Sequence, residues 1–186
     1  MGTDPEVFVQ HGDGSLFPAW EFLPGQAEPH VASMGGGRDY DGEIKAFWDG
    51  FQAEFSCSSS ICHSWLMDYV RFGLNEVWKK AREKDPTASL TYASVLDVEE
   101  KVMAAASQKH AGLGCSPSKN IYGPKRHLDA IIPSQLPFRF AGCHIHLGIK
   151  QEHDNVVRTL DRVAGVASVS ALRCMEDPRR RKFYGL

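Results

Sequence analysis

Residues 138–149 read FRFAGCHIHLGI, and this stretch decides the fold class. It is the clearest strand in the chain. Side chains alternate along a strand, so Cys143, Ile145, Leu147 and Ile149 point one way and His144, His146 and Gly148 the other. Residues 3–10 alternate similarly, with Val7 and Val9 on one side and Glu6 and Phe8 on the other. Residues 47–56 (FWDGFQAEFS) read as a strand, with Phe51, Ala53 and Phe55 opposing Gln52 and Glu54. SLTYASVL at 89–96 reads as another.

Between the strands the period changes. Leu66, Tyr69, Val70, Leu74, Val77, Trp78 and Ala81 form one apolar stripe at helical spacing, which predicts a helix from about Cys62 to Lys84. Asp85-Pro86 ends it, because a residue before proline avoids the helical region. Asp97 and Glu100 suggest a capping box for a short helix to about Lys109. A last helix is expected from Asp154 to Met175. Its segment Val163–Leu172 is apolar nearly all round, which predicts burial against a sheet. Residues 11–46 and 111–137 are rich in glycine, proline and polar residues. They read as turns and loops, with short strands in the first and GGG at 35–37 as a loop. Strands without regular βαβ alternation argue for an α+β class. The expected architecture is a single domain over 1–186, a mostly antiparallel curved sheet with helices packed on one face.

The chain has 186 residues, 21 Lys plus Arg against 23 Asp plus Glu, and a formal charge of −2. So balanced a chain has no general electrostatic reason to hold nucleic acid or an anionic membrane. The apolar stretches are too short to span a bilayer. MGTDPEVFVQ has neither the basic nor the apolar region of a signal peptide, and Glu6 stands where a myristoylation site wants Ser or Thr. The five cysteines (57, 62, 115, 143, 174) are odd in number and form no CxxC. Free thiols and a cytoplasmic location are the expectation.

Candidate chemistry lies on the strands. His144 and His146 share a face, and so do Asp4 and Glu6. Asp49 and Glu54 make a third acidic spot. Each has an ordinary reading as surface or turn residues. Carboxylates that converge repel unless a divalent cation neutralises them. Arg179, Arg180, Arg181 and Lys182 are either a basic tail or an anion clamp, since guanidinium groups hold phosphate or carboxylate bidentately. No Walker-type phosphate loop is present.

GTDPEVFV at 2–9, DGFQAEF at 49–55, GCSPSKNIY at 114–122, AGCHIHLGI at 141–149 and RRKFYG at 180–185 occur in that order. In series they resemble the phage-type carboxylate–amine ligases, the COOH-NH2 ligase type 2 group, which is similar to the glutamine synthetase and glutamate–cysteine ligase superfamily. The resemblance implies a glutamine-synthetase-like catalytic fold and an ATP-dependent ligase that makes an amide through an acyl phosphate. Carried over by motif, it implies Asp4, Glu6, Asp49, Glu54 and His144 as metal ligands. His146 would contact the nucleotide, and Arg180 and Arg181 would serve phosphate binding and catalysis. The implied cofactors are ATP and Mg2+. Imidazole is an unusual magnesium ligand, which makes Mn2+ the alternative if His144 coordinates. The implied substrates are small-molecule or peptide carboxylates and amines, in a host cytoplasm if the gene is viral. In that family the chain continues past Tyr-Gly with another arginine segment and a GxEYR-like strand. This sequence ends at Leu186, so the expectation is a domain lacking its C-terminal strands, weak as a ligase alone, and completed by a homo-oligomer or a second chain. Two other readings stay open: a zinc hydrolase built on His144, His146 and a carboxylate, and a non-catalytic remnant.

Overall fold

The structure, a computed structural model, describes residues 1–34, 42–111, 136–148, 154–172 and 177–180. The chain forms two compact units, Met1–Gly114 with Pro133–Leu147, and Cys115–Ile132 with Gly148–Leu186. The first is α+β, with a curled antiparallel sheet and helices.

Strand β1 (Gly2–Gln10) is its spine. Its register partners are β9 (Cys143–His146) at residues 2–5, β5 (Gln52–Cys57) at 6–7, β2 (Leu16–Phe17) at 9–10 and β6 (Ser89–Thr91) at 8–10. The sheet continues from β5 to β4 (Gly42–Asp49) and β3 (His30–Met34). Pro5 explains where the partners change. The Glu6 N–H is given to Gly142 O at 2.8 Å. Consecutive residues face opposite edges, so Pro5 faces β5, where it has no N–H to donate. The β1–β5 register accordingly starts at Glu6.

Both faces of β1 carry apolar packing. Val7 and Val9 join Ile44, Ala46, Phe55, Val77 and Ala81 in a core beneath α1 (His63–Lys84). This helix agrees with the sequence expectation almost to the residue. Phe8 joins Leu16, Phe51, Val98 and Ala141 in a second core on the opposite face. Val102, Met103 and Ala106 cover that core, on and just after α2 (Glu100–Ala105). The expectation of helices on one face is therefore corrected: the even-numbered face is polar at Asp4, Glu6 and Gln10 but apolar at Phe8, where the second core forms.

Four other expectations are corrected. The strand over 47–56 is a hairpin. Gly50 takes φ +62° at the first position of a two-residue loop, as a type II′ turn requires, and Asp49 pairs with Gln52. SLTYASVL divides into β6 and β7 (Val95–Asp97), because β6 pairs with β1 while β7 pairs with β8 (Phe138–Phe140) in a separate sheet. FRFAGCHIHLGI divides at Ala141-Gly142 into β8 and β9 for the same reason, and Ile145 on its apolar side is 70% exposed. The helix after Asp97 is α2 followed by α3 (Gln108–Ala111), and its N-cap is Glu99 without a side-chain cap.

In the second unit, α4 (Asp154–Leu160), a π-helical turn (Asp161–Gly165) and α5 (Val166–Leu172) follow one another. Val163 is 69% and Val166 61% exposed, and the expected burial against a sheet has no counterpart within that unit. No described strand belongs to that unit. The expectations for GGG at 35–37, for Cys115 and Cys174, for all of GCSPSKNIY, and for Arg181 onwards lie outside the described residues.

Candidate metal centre

Register places the acidic and imidazole residues on one wall. Glu6 is paired with Glu54, and Asp4 with His144. Gly2 is paired with His146, and Glu54 is also opposite Phe47, two residues before Asp49. Paired residues share a face and so do residues two apart, so Asp4, Glu6, Asp49, Glu54, His144 and His146 project from the same side.

Within that wall the side chains sort into two groups. One oxygen from each of Glu6, Asp49 and Glu54 lies within 4.8 Å of the other two. Glu6 is fixed from behind, since its Oε2 accepts the Gly142 N–H at 2.7 Å. Burial pushes the Glu54 carboxyl up to about 8, helped by the neighbouring charges of Asp49, Glu6 and Asp4. Burial also raises Asp49. Three carboxylates gathered in a half-buried spot are disfavoured as anions by burial first and by mutual repulsion second, and a counter-charge relieves both. Either a proton or a cation supplies it.

Asp4 belongs to the other group. Its Oδ2 lies 3.1 Å from His146 Nε2 and its Oδ1 3.5 Å from His144 Nδ1. The Oδ1 atom is buried and accepts no hydrogen bond. The two imidazoles are more than half exposed, with ring centroids 6.5 Å apart. Among the described residues no second set of three ligating side chains comes as close as the Glu6–Asp49–Glu54 set. The sequence reading grouped Asp4 and His144 with these acids as ligands of one site. The structure puts all five on one wall but turns Asp4 and His144 towards each other.

The described arginines of the C-terminal run pair locally. Arg179 forks onto Asp177 through Nε and Nη2 at 2.8–3.2 Å, and the Arg180 N–H reaches Asp177 O at 3.0 Å. Both belong to the second unit, and Arg181 is outside the described residues.

Sequence reasoning missed residues around the Asp49 turn. Arg139 is 2% exposed, stacks 4.6 Å over Phe51, and donates to the carbonyls of Leu136, Phe138 and Ala111 at 2.8–3.2 Å. Burial holds its pKa down at about 10. Trp20 packs edge-on against Phe51 with centroids 4.8 Å apart. Arg139 lies within an otherwise apolar strand, FRF, and that anomaly was the available signal.

No family model matches this chain, and no curated protein or solved structure matches it either.

Proposed function

We propose that the chain is an ATP-dependent carboxylate–amine ligase with a glutamine-synthetase-like catalytic fold, acting in the cytoplasm. The observation that carries this reading is the convergence of Glu6, Asp49 and Glu54 on one wall of a curled antiparallel sheet. The donor set fits magnesium. It is all oxygen, as hard cations prefer, and the imidazoles are turned to Asp4 instead of joining it.

On this reading Glu6, Asp49 and Glu54 would hold a divalent cation, whose charge would offset that of the transferring phosphoryl group. Gly142 keeps Glu6 aimed at the cluster. Asp4 lies against His146 and, more loosely, His144, and an imidazole that is protonated there has a second N–H on the same wall for phosphate oxygens. The substrate carboxylate oxygen attacks the γ-phosphorus and ADP leaves. The amine then attacks the acyl carbon and phosphate leaves, giving the amide. Arg180 and Arg181 are assigned to the phosphate by the motif resemblance alone. Small-molecule or peptide carboxylates and amines are the proposed substrates.

Calorimetric titration with ATP in Mg2+, on the wild type and on Glu54→Gln, tests the reading. The wild type is expected to bind and the variant to lose binding. Equal heats for the two proteins, or none for the wild type, would reject it. Tightly held zinc and hydrolysis without ATP would instead support the hydrolase reading.

A further inference from the structure

The turn that carries Asp49 is flanked by two tryptophans. Trp48 immediately precedes Asp49. Trp20, on a 3₁₀ turn (Ala19–Glu21), packs against Phe51, two residues beyond Asp49. Both indoles are only partly buried. Two neighbouring side chains fill the notch between them. The His110 imidazole lies flat on Trp20, with centroids 4.5 Å apart and an interplanar angle of 6°. It stands perpendicular to Trp48 at 4.6 Å and 88°. The adjacent Lys109 ammonium lies 5.0 Å over the Trp48 ring.

Both fillers come from α3, which has four residues. A helix that short has little stability of its own. Burial, and then the charge of Lys109, hold the His110 pKa below its ordinary value, so at neutral pH the filler is an uncharged planar nitrogen heterocycle. Two indoles closing on such a ring present the flat, electron-rich surfaces on which nucleobases stack.

We propose that the Trp20–Trp48 notch is the nucleobase subsite of the nucleotide whose phosphates the acidic wall holds, and that His110 occupies it when no base is bound. The inference rests on the nucleotide reading above. It adds where the base goes and what must leave. A purine offers a larger face than imidazole to the same indole and displaces it. Trp48 pairs with Ala53 and faces the α1 core, opposite to Asp49, so the ribose and phosphates would turn round the end of the β4–β5 hairpin to reach the carboxylates. His110 is thus a built-in competitor, and removing it should tighten binding. A merely structural wedge would do the opposite.

The test compares ATP with inorganic tripolyphosphate, both in Mg2+, by calorimetry on the wild type, Trp20→Ala, Trp20→Phe and His110→Ala. ATP is expected to bind the wild type more tightly than tripolyphosphate. Trp20→Ala should weaken ATP about tenfold, the scale of one lost base–aromatic stack, and leave tripolyphosphate unchanged. His110→Ala should tighten ATP several-fold. Thermal unfolding identifies a variant that fails to fold, and Trp20→Phe with His110→Ala then carries the comparison. Tripolyphosphate binding as tightly as ATP would overturn the subsite while sparing the phosphate-binding reading. Binding of neither would overturn both. Weaker ATP binding by folded His110→Ala would overturn the displacement.

Discussion

Glu6 and Glu54 face each other directly across the β1–β5 ladder, and Asp49 brings a third carboxylate within 4.8 Å. Like charges directly opposite on a sheet are destabilising. The sequence tolerates this pair at the centre of the sheet, beside residues buried as deeply as Val7 and Ala53.

The metal-free chain should therefore lose stability as pH rises. Glu54 titrates at about 8 in the folded chain against an ordinary 4.5. Between those values the folded state holds a proton that the unfolded state has released, so each step up in pH favours unfolding. The contribution is fully present below 4.5 and gone above about 8. Thermal unfolding in chelator should show the midpoint falling across this window, by a few degrees because the group is half-exposed. A flat profile would show that neither burial nor the neighbouring carboxylates raise Glu54.

Glu54→Gln should reverse two signs at once. In chelator at pH 8 the variant is expected to be more stable than the wild type, since the repulsion with Glu6 and Asp49 is gone. In millimolar Mg2+ or Mn2+ the wild type should gain midpoint while the variant gains little, because binding to the native state alone stabilises it. Equal gains would place the cation elsewhere.

Gly73 tests the packing beneath the wall. A Cβ built there would meet the Phe55 ring at 2.3 Å, and Phe55 is fully buried between α1 and the sheet. Overpacking of this kind costs roughly 1–3 kcal/mol. Gly73→Ala should show that loss in urea unfolding, although alanine is the better helix former. An unchanged or raised midpoint would mean the helix can shift outward freely.

Asp85 ties the end of α1 to the β1–β2 turn. Its carboxylate accepts the Thr87 hydroxyl at 2.6 Å and lies 2.6 Å from His11 Nδ1, and these partners hold its pKa down to about 2 from 3.8. A depressed carboxylate stabilises above its unfolded value, and that stability is lost as pH falls through the folded one. Wild type and Asp85→Asn should thus differ at pH 6 and converge towards pH 2 in denaturant titrations. A constant gap would assign the effect to shape instead of charge.

Arg139 should be the costliest polar residue to remove. Arg139→Met keeps bulk over Phe51 but strips donors from the Leu136, Phe138 and Ala111 carbonyls. Each unpaired buried group costs about 1–3 kcal/mol, so a loss of at least about 3 kcal/mol is expected by urea unfolding. A smaller loss would mean that water reaches those carbonyls.

The parts legible in the sequence were those governed by local period. The α1 stripe from Leu66 to Ala81 fixed one helix face, and alternation in 3–10 placed Glu6 opposite Val7. Parity set which residues share a face within each strand, and register then brought those faces onto one wall. Three features depended on pairing, which parity does not encode. Gly50 turned one apparent strand into a hairpin, since Asp49-Gly50 was read for charge and not for its φ. Tyr92–Ser94 and Ala141-Gly142 became breaks because their flanks join different sheets. Phe8, polar-facing by alternation, instead seeds a second core that only the return of Val98 and Ala141 creates. Within the site, the preference of Asp4 for the histidines over the other acids depended on rotamers and not on spacing.

Strand β1 has a kinetic consequence. Its first residues bond with β9, whose sequence lies almost at the far end of the first unit, while its last residues bond with the nearby β2. Loop closure over so long a chain is slow to be rewarded. His144 and His146 should therefore be installed late in folding, after the three carboxylates have already met, and a nascent chain would carry its acidic half-site bare until synthesis passes residue 146.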